Sequence, residues 1–326
     1  MKIKYLLRKV RFVINTYRLY LHDAKMYIRH SNGLHTNTTP KRALDYLIVF
    51  YHPIEKGLAM PDFRLGFGRE RVLTVIDMIN EYEEKWGDRN SSIIKDAVGV
   101  IKEYDRVHKK NKYKLDDKLQ SAIDNLVMKH PEIEEAHQPE YSRDSFFANV
   151  HSDFPTFAKS RRSVRNYSET ESINIEQIYK AIELSISSPS TCNRQSVKVH
   201  IVENRDMVKE VLNLQSGNRG FGHLADKVLL ITSDLQSWNV PGERFSPYLD
   251  SGIFAMNLLY SLHYYGIGAC PLNWSENASR NKKLHKLLNI PENEVVTMMI
   301  SCGCVPEHFT VVRSERKVLN DIMVKH

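Results

Sequence analysis

Arg161-Arg162-Ser163-Val164-Arg165-Asn166-Tyr167 and Ser188-Pro189-Ser190-Thr191-Cys192-Asn193-Arg194-Gln195 are the two stretches on which the reading of this 326-residue chain turns. In the first, three guanidinium groups and a hydroxyl fall within five residues, ahead of a helical pattern over 175–187. Arginine forks match phosphate geometry and stay charged at any working pH. The second stretch closes that helix with short side chains, open backbone N–H groups and the carboxamides of Asn193 and Gln195. Such a loop suits the edge of a planar heterocycle. Together they point to a phosphorylated, ring-bearing cofactor.

Downstream, Asp250-Ser251-Gly252 begins an apolar helix over 249–265 that ends in Gly266-Ile267-Gly268-Ala269-Cys270-Pro271. An apolar run over 295–300 leads to Cys302-Gly303-Cys304-Val305-Pro306, and a basic tail, Arg313-Ser314-Glu315-Arg316-Lys317, follows. Alternation predicts strands over 197–202, 228–232, 269–272 and 295–301, with helices over 207–215 and 281–288 between them. The helix over 249–265 reads as buried.

The first half is different. Helical patterns cover 41–51, 70–85, 91–109 and 114–129, and no strand signal appears up to about residue 136. His52-Pro53-Ile54-Glu55-Lys56-Gly57-Leu58 reads as a break, 34–40 as a polar loop, and 137–157 as a linker. The expected division is a helical domain with linker, 1–150, and a second domain, 151–326.

Composition is that of a globular protein, with 42% hydrophobic and 26% charged residues. Four cysteines fit neither a disulfide framework nor zinc-finger spacing, so a reducing cytoplasm is the expected compartment and no metal is expected. The net charge of +7 sits entirely in residues 1–30, which carry eight Lys/Arg against Asp23. That segment repeats apolar residues every three or four positions, from Ile3 and Leu6 to Ile28, as an amphipathic helix with a basic face does. Docking on its own domain or on a dimer partner, contact with an anionic membrane surface, and contact with RNA all remain open readings of it. The rest of the chain is neutral, which argues against a nucleic-acid partner.

From about residue 160 onward, the order and spacing of these motifs resemble the FMN-dependent nitroreductase family, over a little more than half the chain. The resemblance implies an α+β fold, a mixed sheet flanked by helices and preceded here by an all-helical N-terminal domain. It implies an interlocked homodimer with shared flavin sites. Arg161, Arg162, Ser163 and Arg165 would then grip the FMN phosphate and ribityl chain. Pro189, Ser190, Thr191, Asn193 and Gln195 would meet the flavin ring of the partner subunit, and Asn218 would lie near its pyrimidine. Pro271, Leu272, Asn273 and Trp274 would present backbone to flavin N5, and Arg313 and Arg316 would return to the phosphate. No catalytic acid or nucleophile is implied, because the flavin carries the chemistry. This chain departs from the family pattern where Gln195 is followed by Ser196-Val197 instead of Pro-Trp.

Trp238, Phe245 and Tyr248 are candidates to roof a substrate pocket, with core packing as the alternative. His52, Glu55 and Lys56 form a separate titratable cluster, read either as a substrate contribution or as a helix terminus. Gly217-Asn218-Arg219-Gly220-Phe221-Gly222 has its glycines out of order for a dinucleotide fingerprint. NAD(P)H, as a transient donor, needs none. The expected activity is ping-pong hydride transfer from NAD(P)H through FMN to an organic acceptor. Its rivals are other flavin chemistry on the same fold (dehydrogenation, dehalogenation or flavin fragmentation) and a non-catalytic flavin-binding scaffold.

Overall fold

The computed structural model describes residues 2–34 and 37–326; Met1, and His35 and Thr36 in the predicted loop over 34–40, lie outside the described residues, as do the side chains of Lys2, Ile3 and Leu34. The chain forms two compact units, one comprising Met1–Ala24 with Glu140–Val311 and the other Lys25–Pro139 with Val312–His326. Each unit is thus drawn from two stretches of the chain, an exchange of ends, where the sequence suggested one boundary at residue 150. The physical reason is local pairing. Within the expected linker, β1 (Glu140–Ser142) pairs antiparallel with β6 (His308–Thr310), and α6 (Arg143–Phe147) and α7 (Phe154–Ser160) follow it.

The helical unit contains α2 (Pro40–Leu58), α3 (Arg69–Trp86), α4 (Ser92–Lys110) and α5 (Asp117–Lys129). They enclose a core that includes Leu47, Val75, Ile79, Ile101, Tyr104 and Ile123. The predicted break at His52 does not occur: α2 runs through Pro53. Leu47, Tyr51 and Ile54 continue one buried stripe across that position, and burial of the stripe outweighs the hydrogen bond that proline cannot donate.

The other unit is α+β. Its sheet has the order β2 (Val197–Val202), β3 (Lys227–Asp234), β5 (Glu294–Gly303), β4 (Gly268–Asn273), each neighbouring pair antiparallel. α8 (Ile175–Ser185) and α10 (Ser246–Tyr264) pack together against it, with α9 (Arg205–Asn213) and α11 (Ala278–Leu288) alongside. The core includes Ile178, Leu229, Ile231, Leu258, Leu262 and Ile300. α10 is apolar all round, but only one side is covered. Ala255, Leu258 and Leu262 face the sheet, while Leu249, Ile253, Met256 and Tyr264 are exposed. Among the described residues no helix is long and apolar enough to cross a membrane.

Candidate functional site

The arginine segment is an extended stretch laid along the outer edge of β4. The Val164 N–H donates to the Ala269 carbonyl at 2.9 Å, the Val164 side chain is buried, and the buried Tyr167 hydroxyl donates to the Val164 carbonyl at 2.9 Å. Tyr167 also meets the Ser301 hydroxyl at 3.0 Å, which pins the segment to β5 as well. Space for the tyrosine ring depends on Gly303, where an added Cβ would lie 2.8 Å from it. With Val164 and Tyr167 turned inward, Arg161, Arg162, Ser163 and Arg165 are left half-buried. Among the described residues, no carboxylate lies within ion-pair distance of the Arg162 or Arg165 guanidinium.

The segment's first residue abuts a buried histidine. His263, near the end of α10, is boxed by Phe146, Phe147 and Phe157 with ring separations of 5.3–5.7 Å. Burial, with Arg161 adding to it, pushes this imidazole down to about 4. The Ser160 hydroxyl donates to the Phe157 carbonyl at 2.8 Å and lies 2.9 Å from His263 Nε2. With the single hydroxyl proton so used, Nε2–H is the donor to Ser160, and the ring is the neutral Nε2–H tautomer.

At the far end of β4, the Asn273 carbonyl accepts from Gln215 Nε2 at 3.0 Å. That bond brings the 215–222 loop beside Pro271, Leu272, Asn273 and Trp274. Asn218 is occupied within its own loop, its Nδ2 donating to the carbonyls of Leu212 and Gln215 at 2.7 Å. Its side chain thus shapes the loop. The arginine segment, the β4 end and the Asn218 loop share one edge of the sheet.

The Ser188–Gln195 loop lies elsewhere. Cys192, Asn193 and Gln195 all have positive φ, between 51° and 53°, a left-handed conformation costing roughly 1 kcal/mol per residue without a Cβ-free side chain. Buried Asp250 holds the loop in place: its carboxylate accepts from the Thr191 N–H at 3.0 Å and the Thr191 hydroxyl at 2.8 Å. Asn257 adds a bond to the Ser188 hydroxyl at 2.9 Å, and the Ser190 hydroxyl accepts from the Gln195 N–H at 3.1 Å. Ser188, Pro189, Ser190, Gln195, Asp250 and Phe254 border a cavity of about 180 Å³. Asp250 and His263 stand at opposite ends of α10, which at 1.5 Å per residue puts Thr191 about 20 Å along the helix from the start of the arginine segment, while Ser188, held at Asn257, is about 9 Å along it.

Of the proposed roof, Phe245 and Tyr248 are exposed at the start of α10 and so do not pack in the core. Trp238 is half-buried under the Arg194 guanidinium, 5.1 Å from the ring centre, and Arg194 is paired with Glu243 at 2.7 Å. Arg313 and Arg316 belong to the helical unit, where Arg313 Nε pairs with Glu315 at 3.0 Å and Arg316 bonds the Ser314 carbonyl. In that unit, His52 Nδ1 meets the buried Glu55 at 3.0 Å within α2, one turn apart. Neighbouring Asp96 is pushed up to about 6 by burial, with Glu315 and Glu55 adding to the rise and Arg313 opposing it. Among the described residues no cluster of metal-ligating side chains occurs.

Sequence reasoning missed Asp250, Gln215, Tyr167 and His263 as supports. Their partners are distant in the chain, so no motif spacing marks them. The one available sign was Asp250 itself, an acidic residue opening an otherwise apolar helix.

A model described as the nitroreductase family matches residues 158–218 and 213–304. A protein of Archaeoglobus fulgidus, provisionally named an NADH dehydrogenase/NAD(P)H nitroreductase, is 29% identical over 147 residues, covering 44% of this chain and 80% of its own. Similar solved structures include a nitroreductase family protein of Streptococcus pneumoniae (20% identity, TM-score 0.45, 53% of this chain and 100% of that one). An FMN-dependent nitroreductase of Clostridium difficile is 21% identical with a TM-score of 0.41, over 51% of this chain and 91% of its own. Within the α+β half of this chain, residues 158–304 match the nitroreductase family model.

Proposed function

We propose that this protein is an FMN-dependent oxidoreductase that moves a hydride from NAD(P)H to a small organic acceptor, the two substrates using one face in turn. The observation that carries the reading is the pair of half-buried guanidinium groups, Arg162 and Arg165, without a carboxylate among the described residues. Part-burying two cations on one segment is costly unless an anion joins them. A phosphate is the anion their fork geometry fits, and Ser163 between them offers a hydroxyl.

Bound there, FMN supplies hydride acceptance and donation. The chain orients it. Arg162 and Arg165 hold the phosphate end, and Pro271–Trp274 and the Asn218 loop, on the same sheet edge, border the path toward the ring.

The second half of the site comes from a second copy. The Ser188–Gln195 loop is braced, and its Thr191 lies about 20 Å along α10 from the start of the arginine segment in its own chain. Its cavity of about 180 Å³ is below the roughly 300 Å³ at which ligand pockets begin. The exposed apolar side of α10, with Leu184 and Ile186 beside it, is the surface for that contact. In a symmetric dimer each loop then reaches the partner's flavin. His52, Glu55, Asp96, Arg313 and Arg316 stay outside this assignment.

The test combines spectrum, mass and variant. The purified protein is expected to be yellow, dimeric at micromolar concentration and bleached by NADH or NADPH. Replacing Arg162 and Arg165 by Ala removes charge-assisted bonds of roughly 1.5–3 kcal/mol each, so FMN affinity falls by at least two orders of magnitude. A colourless protein that refuses added FMN, or unchanged affinity in the double variant, overturns the proposal. Tight FMN without bleaching by either nucleotide leaves the cofactor and removes the donor.

A further inference from the structure

The N-terminal helix α1 (Lys2–His30) is attached by its lesser face. Arg244, just before α10, holds Asp23 in a two-pronged ion pair, with Nη2 to Oδ1 at 2.8 Å. Asn15, Thr16, Leu19 and Asp23, all on that side, are the half-buried positions. At about 100° per residue, the apolar stripe of Leu6, Val10, Val13, Ile14, Tyr17 and Leu21 lies roughly 140° away around the helix. All six are 48–68% exposed. Arg11 and Arg18 border the stripe on one side and Lys9 on the other. A helix that binds its own domain through the Asn15, Thr16, Leu19 and Asp23 side and turns its continuous apolar stripe outward has a second contact still to make.

We propose that α1 lies in the surface of an anionic lipid bilayer, its apolar stripe in the acyl boundary and its flanking Lys and Arg among the headgroup phosphates. Three observations favour lipid over protein. The entire net charge of +7 is concentrated in residues 1–30, and the rest of the chain is neutral. Two such helices facing each other would set these charges together, which opposes self-docking, whereas an anionic leaflet lowers its energy as they approach. The cations sit on the borders of the stripe, where long side chains extend from the acyl boundary to the headgroups. Among the described residues no helix is long and apolar enough to cross a membrane, and the proposed contact is peripheral. Asp23 and Arg244 tie this contact to the first turn of α10.

Full-length protein, sedimented with vesicles, decides it. Binding is expected to vesicles of phosphatidylcholine mixed with phosphatidylserine, to be much weaker with phosphatidylcholine alone, and to fall as salt is raised. Arg11→Gln with Arg18→Gln is expected to weaken binding about 25-fold, since each removed charge costs about fivefold. Leu6→Asp with Val13→Asp is expected to abolish it while flavin content and circular dichroism stay as in the parent. No binding to the anionic vesicles, or equal binding with and without the two arginines, overturns the proposal. So does light scattering in which Leu6→Asp with Val13→Asp dissociates an assembly, because the stripe would then be a protein contact.

Discussion

Lowering the pH from 7 to 5 should loosen the sheet unit through one residue, His263. Its neutral ring donates from Nε2 to Ser160, so an added proton falls on Nδ1, inside a box of Phe146, Phe147 and Phe157 and next to Arg161. The folded chain therefore resists protonation. Burial, with Arg161, takes the imidazole from its ordinary 6.5 to about 4. The sign follows: the unfolded chain binds the proton first, so stability is fully present above 6.5 and is lost as pH falls toward 4. Integrating between those values, the loss is about 2 kcal/mol by pH 5 and about 3 kcal/mol at its limit. The assay compares urea unfolding of the FMN-free protein with that of His263→Gln, which keeps a donor for Ser160 and does not titrate. The parent should lose about 2 kcal/mol more than the variant between pH 7 and pH 5. Parallel losses in both proteins would refute the assignment of a neutral, proton-resisting His263.

Asp250→Ala removes both acceptors of Thr191 and should cost about 1–3 kcal/mol; loss of FMN with faster proteolysis between Ser188 and Gln195 is expected, and an unchanged loop and cofactor would count against the brace. Gly303→Ala places a methyl 2.8 Å from the Tyr167 ring, so overpacking of about 1–3 kcal/mol and weaker FMN binding should appear in denaturation and fluorescence titrations. Parent-like values in both would show that the tyrosine does not anchor the arginine segment. Asp96 is raised to about 6, so its neutral form is the one the fold accepts: stability from this group is present below 4 and is lost as pH rises through 6. Asp96→Asn should therefore melt higher than the parent at pH 8 and alike at pH 4, and an equal difference at both values would rule out titration as the cause.

The strands of the second half were legible because each alternates or runs apolar for its full length: 197–202 is the range observed for β2, and 228–232 extends by a residue or two at each end as β3. The arginine segment was legible as chemistry. Its placement was not, because the bond from Val164 to Ala269 joins residues with no common period. Pro53 misled for a related reason: a local rule for proline competes with a buried stripe whose partners lie on other helices. The apolar character of α10 was plain, but which side remains uncovered depends on where α8 and the sheet meet it. Asn218 was singled out by the family resemblance, while its amide is directed inward by the carbonyls of Leu212 and Gln215.

The exchange of ends has a consequence for biosynthesis. Residues 25–139 leave the ribosome before any strand of the four-stranded sheet, yet the helical unit includes 312–326, made after that sheet is complete. The Arg313 N–H bonds Gln138 at 3.0 Å and Lys317 meets Asp45 at 3.3 Å. Helices α2 to α5 can thus assemble early, but the groove bordered by Pro40, Tyr82 and Lys317 closes last. Truncation just after Val311 would leave the sheet unit whole and register as a defect in the part of the protein synthesised first.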